Sequence, residues 1–110
     1  MRYADKYKHC KGGEYFFQGI AFPLRDGNLS FKTVQSLDLL GTARYHENTH
    51  DVELYGLDGV MFIDSEYPHV IYQSEKDYDT DRVWAREVDD FFGYKLQENG
   101  QLIKRFSLIK

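Results

Sequence analysis

A single cysteine, Cys10, stands among 110 residues. No internal disulfide can form, and a reducing, cytoplasmic compartment is the expectation. Apolar runs are short: the strongest, Val60-Met61-Phe62-Ile63, falls far below the roughly 20 residues that a helix needs to span a bilayer. No charged-then-apolar leader opens the chain. There is no P-loop, no G-x-G-x-x-G, and no second cysteine for a structural zinc site. These absences leave one domain over residues 1–110, large enough to close a modest core without staples.

Aromatic residues are plentiful at 16%, with nine Tyr, eight Phe and one Trp, and this excess suits strands better than a helical bundle. "EYFFQGIAF" follows Gly12-Gly13 and precedes Pro23, and reads as a strand. "RDGN" supplies turn chemistry at Asp26-Gly27-Asn28. "LSFKTV" and "DVELY" alternate apolar and polar residues and read as half-buried strands. "GVMFID" and "HVIYQ" are short apolar runs separated by Ser65-Glu66-Tyr67-Pro68. "EKDYDTD" lacks any apolar period and reads as an exposed loop. In "YKLQENGQLIKRF", Asn99-Gly100 between alternating segments predicts a hairpin closed by a two-residue turn. The one helix expected is "REVDDFF", where Val88, Phe91 and Phe92 would share a face. The predicted fold is mainly β: a small twisted antiparallel sheet or open barrel, with one short helix near residues 86–92.

Net charge is −4, but the signs are segregated. Residues 1–11 carry Arg2, Lys6, Lys8 and Lys11 against Asp5, and the tail carries Lys95, Lys104, Arg105 and Lys110. Residues 46–81 carry ten carboxylates against Lys76. Paired terminal strands would therefore make a cationic face opposite an acidic flank, although charge runs usually mean only solvated surface. Net acidity disfavours duplex nucleic acid, whose binding requires many phosphate neutralisations.

His46, Glu47 and His50 spell H-E-x-x-H. In zinc proteases this motif works because both histidines lie one turn apart on a helix. Thr42, Asn48, Thr49, Asp51 and Val52 are weak helix formers, and alternation from Asp51 onward predicts strand. Along a strand, four residues advance the chain by about 13 Å, too far for two imidazoles each about 2.0–2.1 Å from one ion; a tight bend at Glu47-Asn48 would bring them closer. A zinc hydrolase using His46, Glu47 and His50 is less favoured than binding without chemistry, and no metal or cofactor is expected. His9-Cys10 is a still weaker base–nucleophile pair, because adjacent strand residues face opposite ways.

Three separated segments, "YKHCKGGEYFFQGIA", "HENTHDVELY" and "VWAREVDDFF", together with Arg105-Phe106, resemble family 1653 of the domains of unknown function, a group of short bacterial and phage proteins. Tyr7, His9, Lys11, Gly12 and Tyr15 match the family's opening run, and His46 and Thr49 its second segment. Trp84, Arg86 and Phe91 match the third, and Arg105 with Phe106 the last. Asn48 stands where the family has Glu, and Glu87 where it has Pro; residues 22–45 and 57–82 look like insertions. The resemblance implies a small β domain with no established activity, and it brings His9, Lys11, Tyr15, Trp84, Arg86 and Arg105 forward as ligand-binding residues.

Aromatic faces beside cations suit an anionic, planar ligand, with rings stacking on Trp or Tyr and arginine gripping phosphate. The leading expectation is a non-catalytic binder of a small nucleotide-like anion, which in a phage-encoded protein would sequester a host defence signal. The alternative is an inhibitor or adaptor that sets the acidic 46–81 region in a host protein's basic groove. Plainer roles stand beside each residue: Trp84 and Tyr15 as packing, His9 as a satisfied strand histidine, Arg86 as the ion-pair partner of Glu87 or Asp90. Oligomeric state is left open by the sequence.

Overall fold

The computed structural model describes residues 5–25, 30–77 and 80–109. Its elements run β1 (Asp5–His9), β2 (Glu14–Pro23), α1 (Phe31–Gln35), β3 (Asp38–Tyr45), β4 (Asp51–Leu57), β5 (Val60–Ile63) and β6 (His69–Ser74). They continue with a 3₁₀ turn at Glu75–Asp77, β7 (Trp84–Glu87), α2 (Val88–Phe91), β8 (Tyr94–Leu96), β9 (Leu102–Lys104) and β10 (Phe106–Ile109). One sheet has the order β10-β1-β2-β5-β4-β3-β7-β6, and β2 also pairs with β6. That last pairing closes six strands into a barrel, leaving β1 and β10 as an extension. The mainly β expectation holds. The barrel is closed rather than open, and it is mixed, since β2–β5 and β3–β7 are parallel.

Closure depends on the length of β2. Residues Tyr15 to Phe17 pair with β1 and β6, so those two strands lie on opposite edges of β2. Ala21 pairs with both His69 of β6 and Met61 of β5. The edge that β1 occupies early is therefore taken over by β5 later. The register shift between Phe17 and Gly19 marks a bulge at this handover, and bulges bend a strand and increase its twist. Gly19 has φ +154°, and a Cβ there would lie 2.9 Å from Met61 Cε. The segments 22–45 and 57–82 supply β3, β5 and β6, three of the six barrel strands.

Two cores lie on the two sides of the barrel wall. One contains Ala21, Ala43, Val52, Leu54, Ile63, Ile71 and Ala85; small residues fit the narrow inside of a six-strand barrel. The second joins Val70, Tyr72, Phe91 and Phe106, with Tyr7, Tyr15, Phe17, Trp84, Val88 and Phe92 packed around them. Side chains alternate across a strand, so Ile71 and Ala85 belong to the first core while Val70, Tyr72, Trp84 and Arg86 face the second. Both sides of β6 are covered, and this explains why "HVIYQ" is a continuous run rather than an alternating one. Gln73 in that run is buried and its amide nitrogen reaches the carbonyls of Asp77, Thr80 and Arg82 at 2.8, 2.9 and 3.1 Å. It anchors the segment that follows β6.

Four local expectations change. The predicted strand "LSFKTV" is instead, where described, the helix α1: Ser30 caps it by accepting from the Thr33 N–H at 3.1 Å, a local bond that competes with strand pairing. The predicted helix begins at Val88, because Arg86 and Glu87 pair with Val70 and His69 as part of β7. The hairpin turn is longer than two residues. Gln97 N–H bonds the Gln101 carbonyl, Gly100 takes φ +84°, and Asn99 keeps a negative φ, the pattern of a three-residue loop with glycine at the left-handed position. "EKDYDTD" opens with a 3₁₀ turn, and its Tyr78 and Asp79, like the turn residues Asp26-Gly27-Asn28, lie outside the described residues.

Phe91 is fully buried and stacks on Phe106 with centroids 4.1 Å apart and planes at 9°. Phe91→Ala is predicted to lower stability by about 3–5 kcal/mol, read by urea denaturation. A loss below about 1 kcal/mol would contradict a second core built on this pair.

Candidate functional site

The histidines of H-E-x-x-H stand in a hairpin loop between β3 and β4, not on a helix and not on extended backbone as expected. Tyr45 N–H bonds the His50 carbonyl at 2.9 Å, and Thr49 N–H bonds the Tyr45 carbonyl at 2.9 Å with Thr49 at φ +59°. The helical spacing that lets two imidazoles reach one ion is missing. Among the described residues, no three His, Cys, Asp or Glu side chains are grouped to hold a metal.

His46 contributes elsewhere. Parallel pairing sets Tyr45 against Ala85, and His46 N–H bonds the Ala85 carbonyl at 3.1 Å. This places His46 beside the outward face of β7, which carries Trp84 and Arg86. Two adjoining cavities share the imidazole. One, of about 320 Å³, is lined by Tyr15, His46, Tyr72, Ser74, Asp77 and Trp84. The other, of about 290 Å³, is lined by His46, Glu47, Ala85, Arg86, Glu87 and Asp90. The first has aromatic walls: Tyr15 and Tyr72 meet edge to face at 5.5 Å.

Arg86 is only 5% exposed. Its Nη1 lies 3.2 Å from Asp90 Oδ2, four residues along in α2, and its guanidinium carbon sits 4.9 Å from the Phe106 centroid. Arg105 Nη1 takes the other carboxylate oxygen, Asp90 Oδ1, at 2.7 Å. Arg105 also reaches the Tyr94 carbonyl, and its N–H bonds the Gly93 carbonyl. One carboxylate thus serves two guanidiniums. Arg86 Nε is buried and has no hydrogen-bond partner among the described residues, which is costly unless something else accepts from it.

His9 lies at the end of β1, opposite Phe106 in register, with its ring edge-on to that phenyl at 4.8 Å. Its Nδ1 accepts from the Lys11 N–H at 3.1 Å, so the proton of the neutral ring resides on Nε2. Burial first, then the Arg86 guanidinium, His46, Lys11 and Arg105, hold His9 below its ordinary value. Partial burial and then Arg86 also lower His46, while Asp90 and Glu47 pull it up. Burial pushes the Tyr72 phenol above its ordinary value, against the pull of Arg86.

Of the residues expected from sequence, Tyr15, Trp84 and Arg86 therefore line the joined cavities, while Arg105 and His9 support them from behind. Lys11 stands apart, in a cleft with Cys10 and Lys95. Sequence reasoning missed His46 as a cavity residue, because its metal-motif context drew attention away, and missed Tyr72, which a continuous apolar run concealed. The acidic flank is partly neutralised by the chain itself: Arg25 pairs with Asp64, Arg44 with Asp51, and Lys6 with Glu75. No helix among the described residues is long and apolar enough to cross a membrane. No family model, curated protein or solved structure matches the chain.

Both histidines have folded-state values below the ordinary 6.5. The unfolded chain binds protons more readily, so their contribution to stability is complete above about pH 6.5 and is lost as pH falls through the folded values. Urea midpoints between about pH 7.5 and pH 5 are predicted to fall with acidification, and to fall less steeply in a His9→Gln, His46→Gln double variant. Equal slopes would contradict the assignment.

Proposed function

We propose that this protein binds, without chemically transforming, a small anionic ligand of nucleotide type. The observation that carries the reading is the adjacency of two unlike cavities through one shared imidazole. Tyr15, Tyr72 and Trp84 offer aromatic surface on one side, and Arg86 offers a buried guanidinium on the other. A planar base stacks on aromatic rings, and an arginine fork donates to phosphate oxygens. Convergence of residues from β2, the β3–β4 loop, β6, β7 and α2 on this one place supports a site more than it supports accidental packing. The segments that carry the resemblance to family 1653 are among those that meet here.

The chain's only tryptophan lies in the aromatic cavity, so intrinsic fluorescence reports on it directly. Titration with adenosine and guanosine monophosphates and with cyclic dinucleotides is predicted to quench or shift Trp84 emission, with heat in parallel calorimetry. Tyr15→Ala is predicted to weaken binding by about 1–3 kcal/mol, the scale of one base stacked on an aromatic ring. Arg86→Lys is predicted to weaken nucleotide binding while leaving nucleoside binding nearly unchanged. No response to any of these compounds would contradict the reading.

A further inference from the structure

Lys11 and Lys95 meet in a cleft of about 500 Å³ that shares no lining residue with the cavities around His46. Register explains the meeting. Lys95 of β8 pairs with Ile103 of β9, and both are half-buried, while Leu96 and Leu102 are exposed on the other face of the hairpin. The half-buried face lies against the β1–β2 turn, since Cys10 and Lys11 line the same cleft. Two bonds fix that turn: Cys10 N–H donates to the Arg105 carbonyl at 2.8 Å, and Lys11 N–H to Nδ1 of His9 at 3.1 Å. The first ties the turn to the chain leaving the hairpin.

The cleft gathers positive charge in a chain whose net charge is −4. The two ammonium groups stand close: Lys11, ahead of burial, holds Lys95 below its ordinary value. Ion pairs among the described residues use Lys6, Arg25, Arg44, Arg86 and Arg105, and neither of these two lysines. Glu98 lines the cleft as well, yet it pairs with neither. Like charges set side by side cost stability, and an anion between them removes that cost. Both ends are within a ligand's reach, because Lys11 is exposed and Lys95 only half-buried.

We propose that this cleft is a second binding site, in which Lys11 and Lys95 hold a phosphoryl group, of a phosphomonoester or of free phosphate, between their ammonium ends. The site is independent of the nucleotide reading. Lysine binds phosphate as a point charge, and two lysines match a dianion. Gln97 brings an amide to the same cleft, while Leu96 and Ile103 give it apolar walls. Its volume falls within the roughly 300–1,000 Å³ of small-molecule sites, so a phosphorylated molecule fits as well as the bare ion. Occupancy stabilises the folded chain by mass action.

The test is an amide NMR titration in which sodium phosphate replaces sodium chloride at constant ionic strength and about pH 7.5, where a phosphoryl group carries close to two charges. The resonances of Cys10, Lys11, Lys95 and Gln97 are expected to shift along one saturating curve. Lys95→Gln is expected to weaken phosphate binding about tenfold, the scale of a lost charge-assisted bond, and Lys32→Gln, on α1, to leave it unchanged. Without phosphate and at low salt, Lys95→Gln is expected to unfold at a higher urea concentration than the wild type, because the like-charge contact is gone. Glycerol phosphate separates the two sources: tighter binding than phosphate assigns the cleft to a phosphomonoester, and equal or weaker binding to the free ion. No saturable shift with either compound, or equal shifts in Lys95→Gln, overturns the proposal. Adenosine binding in Lys95→Gln is expected to match the wild type, so the nucleotide reading stands or falls separately.

Discussion

One carboxylate organises the candidate site. Asp90 accepts from Arg86 with one oxygen and from Arg105 with the other, at 3.2 and 2.7 Å, and so ties α2 to the barrel strand β7 and to the chain entering β10. Neutralising half of the charge it gathers, it allows two guanidiniums to sit on one carboxylate, that of Arg86 against Phe106. Asp90 occupies Nη1 of Arg86, while Nε is enclosed and has no partner among the described residues. A buried donor in that state stabilises the fold less than a satisfied one. Burial first, and then the Arg86 guanidinium, hold His9 and His46 below their ordinary values.

The barrel makes this arrangement possible by having two useful sides. On β6 and β7 one side chain in two points into the narrow interior, where alanines at 21, 43 and 85 permit six strands to close. The other side supports a second core beneath α2, β1 and β10. Trp84 and Arg86 are placed on that outer side by strand periodicity alone, with Tyr72 directly across from Trp84 and Val70 across from Arg86. The parallel pairing of β3 with β7 then delivers His46 to the same place. Gln73 faces the other way and holds the carbonyls of the 75–82 segment, which brings Asp77 to the rim of the aromatic cavity.

Much of this was legible in the sequence where a signal is local. The strands at "EYFFQGIAF", "DVELY", "GVMFID" and "HVIYQ" form as their patterns imply, and so does the hairpin around Asn99-Gly100, although its loop holds three residues. Patterns decided by distant partners, or by a cap that competes with strand pairing, were not legible. Alternation in "LSFKTV" cannot reveal that Ser30 will bond the backbone of Thr33 and start a helix. Helix-compatible spacing in "REVDDFF" cannot reveal that β6 recruits Arg86 and Glu87 into a ladder. Barrel closure is a property of β2 pairing with three strands, and it leaves no mark on β2's own composition. The site divides in the same way. Tyr15, Trp84 and Arg86 were brought forward by the family resemblance, but His46 and Tyr72 join them only through register, and Lys11 is turned to a different cleft.

The most direct test of the account is the crystal structure of the protein grown with AMP. The phosphate is predicted within hydrogen-bond distance of the Arg86 guanidinium and the base against Trp84, Tyr15 or Tyr72. A nucleotide seated in the Lys11–Lys95 cleft, with the cavities around His46 empty, would contradict it.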